Sequence, residues 1–422
     1  MKLRLPTAND VKNKTVLLRV DYNVPLKLKD GRYQVVDDRR IRASLATLNF
    51  LKKNQAKIVL IAHLGRPSGQ KKSSLSLKPI AEYLQKELGL EIIYIDDCIG
   101  KKINQAINQL QPGKILLLEN VRFHAEEEKN DPEFSKKLAE LADLYINEAF
   151  SVSHRAHAST EGVTHYLPSF AGFQFENEIK TLHELMTQPK HPFLIIIGGA
   201  KISDKIGALE NLLDAADGIL VGGAVANNFL KAENIEIHKS FLQDTPVDLK
   251  KQGINFVKLA DDLIEETKTE KFLKDGYVPL PKIIYPLDVV AAKSPESTQT
   301  QIIDLTHDMQ DTPHDKNLMY LDIGPKTTRL YQELISQAKS IFWNGPMGYF
   351  EKKPFEKGTI KIAKALAAVS ATTVVGGGDT VKAISDLKLD KEYTHVSTAG
   401  GAALVFLAGQ DLPALKPLTI PT

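Results

Sequence analysis

Short runs of valine, isoleucine and leucine alternate along the whole chain with stretches whose apolar residues recur at helical spacing. A strand buried on both faces reads as a near-continuous aliphatic run. Alternation of such runs with amphipathic helices builds βαβ units around a parallel sheet. The pattern predicts strands at 15–20, 57–62, 91–95, 114–118 and 144–147 in the first half. In the second half it predicts strands at 193–197, 218–221, 282–285, 318–322, 340–343, 372–375 and 394–397. Helices are expected at 76–88, 132–141, 205–216 and 357–368. A further helix at 176–186, followed by the breaker Gln188-Pro189-Lys190-His191-Pro192, reads as a connector between domains. A chain of 422 residues exceeds what one hydrophobic core usually supports. The expectation is an α/β protein of two doubly wound parallel-sheet domains joined near residue 180. The tail, 404–422, carries Pro413 and Pro417 with no further strand, and is expected to return to the first domain.

Composition narrows the functional classes. Hydrophobic content of 43% and charged content of 25% fit an ordinary globular protein, and a formal charge of +2 gives no bulk attraction to nucleic acid or membrane. No apolar run approaches the ~18 residues of a membrane span. Residues 1–14 show no apolar stretch after their basic residues, so no signal peptide is expected. The single cysteine, Cys98, excludes an intramolecular disulfide and fits a reducing cytoplasm. The expectation is a cytoplasmic monomer without nucleic-acid or membrane partners.

Charge and glycine are distributed unevenly. Of ten arginines, nine precede residue 156: Arg4, Arg19, Arg32, Arg39, Arg40, Arg42, Arg66, Arg122 and Arg155. The glycine turns Gly198-Gly199, Gly222-Gly223, Gly376-Gly377-Gly378 and Gly400-Gly401 all fall in the second half. Guanidinium forks grip small multivalent anions, and glycine turns opening helices present N–H groups to phosphate. The two halves therefore read as sites for two different anions, which suggests a transferase with one substrate per domain.

Ligands of open parallel sheets bind beyond the carboxyl ends of the strands. In the first half those ends carry Arg19, Asp21 and Asn23; His63 and Arg66; Asn120, Arg122 and His124; and His154, Arg155 and His157. Arg39, Arg40 and Arg42 open the first helix, and Arg39 and Arg42 are the readiest to be plain surface residues. So many cations on one rim would repel one another without an anion between them. The His154/His157 spacing is weakly metal-like, but no cysteine or carboxylate completes a metal set.

In the second half Gly198-Gly199-Ala200-Lys201 leads into Ser203, Asp204 and Lys205 without P-loop spacing. Lys201 and Lys205, four apart, are expected on one helical face near phosphate, with a solvated lysine face as the lesser alternative for Lys205. Gly376-Gly377-Gly378-Asp379-Thr380 reads as a phosphate cradle, with Asp379 either a Mg²⁺ ligand or a helix N-cap. Trp343-Asn344-Gly345-Pro346 and Glu351 follow another strand end and suit either a base or ribose pocket or an ordinary turn. A dehydrogenase reading fails because Asp21-Tyr22-Asn23 stands where G-x-G-x-x-G would be needed.

Over essentially its full length the chain resembles phosphoglycerate kinases. The matching strings are Arg19-Val-Asp-Tyr-Asn-Val-Pro25, His63-Leu-Gly-Arg-Pro67, Glu119-Asn-Val-Arg-Phe-His124 and His154-Arg-Ala-His-Ala-Ser159. They continue with Gly198-Gly-Ala-Lys-Ile-Ser-Asp-Lys205, Trp343-Asn-Gly-Pro346 and Gly376-Gly-Gly-Asp-Thr380. The resemblance implies Mg²⁺-dependent phosphoryl transfer from 1,3-bisphosphoglycerate to ADP, giving 3-phosphoglycerate and ATP. It implies Rossmann-like domains that close by hinge motion: 1–172 with 404–422 for phosphoglycerate, 191–403 for nucleotide, and 173–190 as interdomain helix and hinge. By position, Asp21, Asn23, Arg40, His63, Arg66, Arg122 and Arg155 would bind phosphoglycerate. Lys201, Lys205, Asn344, Glu351, Gly376, Gly377, Gly378, Asp379 and Thr380 would bind nucleotide, with Asp379 on Mg²⁺. Arg40, Lys201, Gly378 and Gly401 would act on the transferring group.

Some positions depart from the family. Ala399 and Ala224 stand where glycine is usual, Glu148 for Asp, Ser151-Val152-Ser153 for a Gly-Thr-Ala-like stretch, and Val405 for Glu. A Cβ at Ala399 would restrict positive φ and tighten the last phosphate turn. A non-catalytic scaffold that retains both ligand sites is the alternative function.

Overall fold

The computed structural model describes residues 1–244, 253–268, 271–272, 280–306 and 315–420. The chain divides into two compact units, Met1–Lys180 with Asp411–Thr422, and Thr181–Gln410.

In the first unit, β1 (Thr15–Arg19), β2 (Lys57–Ile61), β3 (Ile92–Tyr94), β4 (Ile115–Leu117), β5 (Leu144–Asn147) and β6 (Ser169–Ala171) form a parallel sheet in the order β3-β4-β2-β1-β5-β6. The aliphatic runs have a direct cause. Val16 and Leu18 point into a core with Leu48, Leu51, Ile80 and Leu84, whereas Leu17 and Val59 point into the opposite core with Ile103, Ile107, Phe134 and Leu138. Each such side chain, fully buried, contributes about 1.5–3 kcal/mol. Helix Pro132–Ala139 shows how local sequence sets an end: Pro132 opens the first turn and Asp131 Oδ1 caps Phe134 N at 2.8 Å.

In the second unit, β7 (Phe193–Ile197), β8 (Gly218–Val221), β9 (Ile283–Ile284), β10 (Ser340–Asn344), β11 (Thr372–Gly376) and β12 (His395–Val396) form another parallel sheet, in the order β9-β8-β7-β10-β11-β12. This is the Rossmann order, with a topological switch between β7 and β10 where ligands bind. The expected parallel strand at 318–322 is corrected. Met319–Ile323 pairs antiparallel with Asp288–Ala292, which pairs antiparallel with Gln301–Asp304. Residues 319–321 are only half buried, so they never had the two covered faces that a central parallel strand requires.

The connecting helix runs Phe173–Thr187, starting earlier than its apolar periodicity suggests. The tail divides differently from expectation: helix Gly401–Leu407 and the residues to Gln410 belong to the second unit, and only the segment from Asp411 packs with the first. Residues 421–422 lie outside the described residues. Among the described residues, no helix is long and apolar enough to cross a membrane.

Candidate active site

Parallel pairing of β1 with β2 and β5 sets Arg19 level with Ile61 and Asn147, so the basic residues after these strands share one rim of the first unit. Arg19 is fully buried. Its Nε donates to Ser159 Oγ at 2.9 Å and its NH2 lies 3.1 Å from His63 Nδ1. Ser159 Oγ in turn donates to Glu127 Oε1 at 2.7 Å. A buried carboxylate thereby balances the most deeply buried guanidinium through a hydroxyl. Burial raises Glu127, and Arg19 opposes that rise.

Asp21 organises the opposite wall. Its Oδ2 accepts from Arg40 NH1 at 2.9 Å and from Ser151 Oγ at 2.5 Å, and its Oδ1 accepts from Asn23 N at 3.1 Å. Asn23 Oδ1 accepts from Gly65 N at 2.9 Å, and Arg122 NH1 donates to Gly65 O at 2.9 Å. Asp21, Asn23, Arg40 and Arg122 are therefore gathered into one network, while His63 is held by Arg19 and reaches Arg40 and Arg122 only through their charge. Arg155 reaches His154 at 3.2 Å, and Arg66 stands exposed just beyond β2.

Electrostatics shows how crowded this basin is. Burial and then Arg19, Arg122, Arg40 and His157 hold His63 well below its ordinary value. Burial and Arg155 lower His154 to about 4, and burial with Arg122 and Arg19 lowers His157 to about 3. His157 Nδ1 lies 3.9 Å from Glu127 Oε1, but the ring is neutral and forms no ion pair. Burial and Arg19 push even Arg122 down to about 10. Its Nε has no hydrogen bond, only a 3.4 Å approach to Glu128 Oε1. Arg39 and Arg42 pair with Asp37 and Asp38.

The second unit gathers glycine turns at its switch point. The loops after β7, β8 and β10 pack backbone against backbone. A Cβ on Gly345, which has φ +95°, would fall 2.2 Å from Gly198 O. Beside them lies a cavity of about 470 Å³, lined by Leu230, Val289, Met319 and Met347 with Glu351 and Asp379 at its polar side. Such apolar walls with few polar groups suit a flat aromatic ligand. The antiparallel sheet supplies Val289 and Met319, a wall the sequence reading did not anticipate. The apolar run Val289-Val290-Ala291-Ala292 was its available signal.

The expected lysine face is corrected. Lys201 is extended, a 3₁₀ turn occupies Ile202–Asp204, and the α-helix starts only at Ile206 after Lys205. Lys201 is exposed, whereas Lys205 is buried with Nζ donating to Lys201 O at 3.3 Å. Burial lowers Lys205, opposed by Asp204 and Asp379.

At the end of β11, Gly377 has φ +90° and caps helix Gly378–Asp386, leaving Asp379 exposed inside the first turn rather than at the N-cap. Gly376 is buried at the strand end, 3.4 Å (from its would-be Cβ) from the Asn344 Nδ2 that has no partner. Thr380 is fully buried, and its hydroxyl oxygen accepts from Gly345 N at 2.7 Å, so it braces the neighbouring loop. Gly378, Gly400 and Gly401 have open space where a side chain would stand. The expected strain at Ala399 is absent: the positive φ falls on Gly400, at +56°. Ala224 has φ −72°, so its methyl group merely adds to the cavity wall.

The family model described as phosphoglycerate kinase matches residues 7–410. A phosphoglycerate kinase of Pseudothermotoga lettingae is 42% identical over 97% of this chain and 96% of its own length. One of Coprothermobacter proteolyticus is 42% identical over the whole of both chains. The solved phosphoglycerate kinase of Coxiella burnetii matches with a TM-score of 0.78 at 35% identity, covering 97% of each chain. With two parallel α/β units, a cation basin in one and a glycine-lined cavity in the other, the chain belongs to the phosphoglycerate kinase family.

Proposed function

We infer that the chain catalyses reversible phosphoryl transfer from 1,3-bisphosphoglycerate to ADP, giving 3-phosphoglycerate and ATP, as a kinase with a carboxyl acceptor in glycolysis and gluconeogenesis. The observation that carries the division of labour is the basin of the first unit, where Arg19, Arg40, Arg122 and His157 all act on buried His63. Such a cluster is relieved by a phosphorylated carboxylic acid. Asp21, Asn23, Arg40, His63, Arg66, Arg122 and Arg155 are its proposed ligands. The nucleotide is assigned to the second unit: its base against the cavity walls, its ribose near Glu351, and its phosphates at Lys201, Lys205, Asn344, Thr380 and the N–H groups of Gly376, Gly377 and Gly378.

Asp379 fits Mg²⁺ because a single exposed carboxylate at the cavity suits an ion that keeps its waters and phosphate oxygens. Bound there, the ion neutralises phosphate charge. Phosphoryl transfer asks little covalent chemistry of the protein; it asks for in-line placement and positive charge around the equatorial oxygens. Arg40, Lys201 and the N–H groups of Gly378 and Gly401 supply that charge. Water must be kept from the acyl phosphate, so both ligands must be enclosed when transfer occurs. A purely scaffolding role finds no support, since Arg40, Lys201 and Asp379 are all in place. The enzyme is proposed to act in the cytoplasm as a monomer, its one cysteine, Cys98, being a free, buried thiol.

The test is turnover with 3-phosphoglycerate, Mg²⁺ and ATP, followed by acyl-phosphate detection, with calorimetry of each substrate separately. Arg66→Ala should weaken 3-phosphoglycerate alone and Asp379→Ala should weaken Mg-nucleotide alone. The opposite selectivity for either variant overturns the assignment of units.

A further inference from the structure

Helix Phe173–Thr187 begins in the first unit and continues into the second, which starts at Thr181. The first N–H groups of a helix have no helical acceptor. The preceding residue, Gly172, has no side chain to serve them. Two distant side chains do so instead. Thr47 Oγ1 accepts from Phe173 N at 3.0 Å, and Glu148 Oε1 accepts from Gln174 N at 3.3 Å and from the Thr47 hydroxyl at 2.6 Å. The carboxylate also faces the positive end of the helix dipole. The fit is tight: a Cβ at Gly172 would stand 1.7 Å from Glu148 Oε2.

Glu148 directly follows β5, and its N–H donates to Arg19 O at 2.8 Å. Two residues on, Phe150 packs edge-to-face on Phe175 of the helix, with centroids 5.3 Å apart. The next residue, Ser151, holds Asp21. Segment 148–151 thus grips the helix at one end and a basin carboxylate at the other. Glu148 Oε2 is buried without a partner, and burial pushes the group up to about 7. Its titratable neighbour is the buried phenol of Tyr22, itself raised by burial and paired with Ser44.

We infer that Glu148 is a positioning residue for phosphoryl transfer, fixing the start of the connecting helix to the loop that holds Asp21 so that helix and anion basin move as one body. The inference rests on the transfer activity proposed above. Turnover by the unaltered enzyme tests that activity, and the variants test Glu148.

The experiment is steady-state kinetics of Glu148→Gln, Thr47→Val, their double variant and Thr47→Ser, with circular dichroism to establish folding. Glu148→Gln mimics the protonated carboxyl. At pH 8 its kcat should fall about five-fold, the worth of exchanging a charge-assisted hydrogen bond for a neutral one, with both KM values unchanged within about two-fold. At pH 6 the ratio of variant to unaltered kcat should approach one, because Glu148 is then itself protonated; substrate ionisation cancels in the ratio. Thr47→Val should lower kcat similarly, the double variant should be no slower than either single one, and Thr47→Ser should keep full kcat. A ratio flat from pH 6 to 8, additive losses in the double variant, or a raised KM at unchanged kcat would each overturn the assignment.

Discussion

Arg122→Met should make the empty protein more stable while destroying its affinity for phosphoglycerate. Arg122 is 3% exposed, sits among Arg19, Arg155 and His63, and falls from its ordinary value to about 10. A lowered value for a cation means that the fold disfavours its charged form, so at neutral pH the residue costs stability. Read from the fall, that cost is about 3 kcal/mol. The effective dielectric of about 20 that describes even buried sites brings it to about 1–2 kcal/mol. Methionine keeps the apolar stem and loses one hydrogen bond, to Gly65 O, worth about 1 kcal/mol and replaceable by water at this half-exposed loop. The net gain is about 1 kcal/mol, or roughly 2–4 °C in the melting temperature of a unit this size. Scanning calorimetry without ligand reads it directly. With 3-phosphoglycerate at a hundred times its Kd, the unaltered protein gains about 2.7 kcal/mol and the variant almost nothing. The order of stability should therefore reverse on adding ligand. A variant less stable than its parent when empty, yet still stabilised by 3-phosphoglycerate, would refute the picture of a basin strained by its own cations.

Three further outcomes are expected. Lys201→Ala should lower kcat roughly 10²–10³-fold with substrate affinities nearly intact, because exposed Lys201 is free to follow the moving phosphoryl group. Lys201→Arg should restore part of it, and a raised nucleotide KM at unchanged kcat would make Lys201 a ground-state anchor instead. His154 and His157 titrate at about 4 and 3 in the fold but near 6.5 when unfolded. The stability they contribute is complete above pH 6.5 and is lost as the pH falls through 4, which urea titration at pH 4 and 7 will show. Glu148 acts in the opposite sense, its contribution complete below about pH 4.5 and lost as the pH rises through 7. Glu148→Gln should therefore raise stability at pH 8 and leave it unchanged at pH 4.

Much of this was legible because central parallel strands are covered on both faces. Residues 15–20 and 193–197 can hardly be read otherwise, since Val16, Leu17 and Leu18 are each buried on alternating sides of one sheet. The same logic misassigned 318–322 to a parallel sheet; residues 319–321 are half buried and line a cavity that periodicity cannot reveal. Strand Ser169–Ala171 escaped because its three residues carry little aliphatic signal. The lysine pair was read from helical spacing, and a 3₁₀ turn between Lys201 and Lys205 broke the count. Glu127 lay hidden in the run Glu126-Glu127-Glu128, which looks like a solvated face. Only its contact with Ser159, thirty-two positions away, makes it the counter-charge of Arg19. Arg39 and Arg42, by contrast, carried their carboxylate partners Asp37 and Asp38 beside them in the sequence.

The backbone-on-backbone packing of Gly198 and Gly345 bears on how this pocket can evolve. Where main chains touch, there is no side chain to enlarge, shrink or recharge, so that part of the cavity offers natural selection nothing to tune. With the base assigned to this cavity as proposed above, a change in which purine is preferred must instead come through the walls, at lining positions such as Ala224, Met319 and Tyr349. Variant libraries confined to those walls should yield altered nucleotide preference. Libraries aimed at the glycines should yield mainly inactive protein, and relatives with different preferences should differ at the walls while keeping the floor.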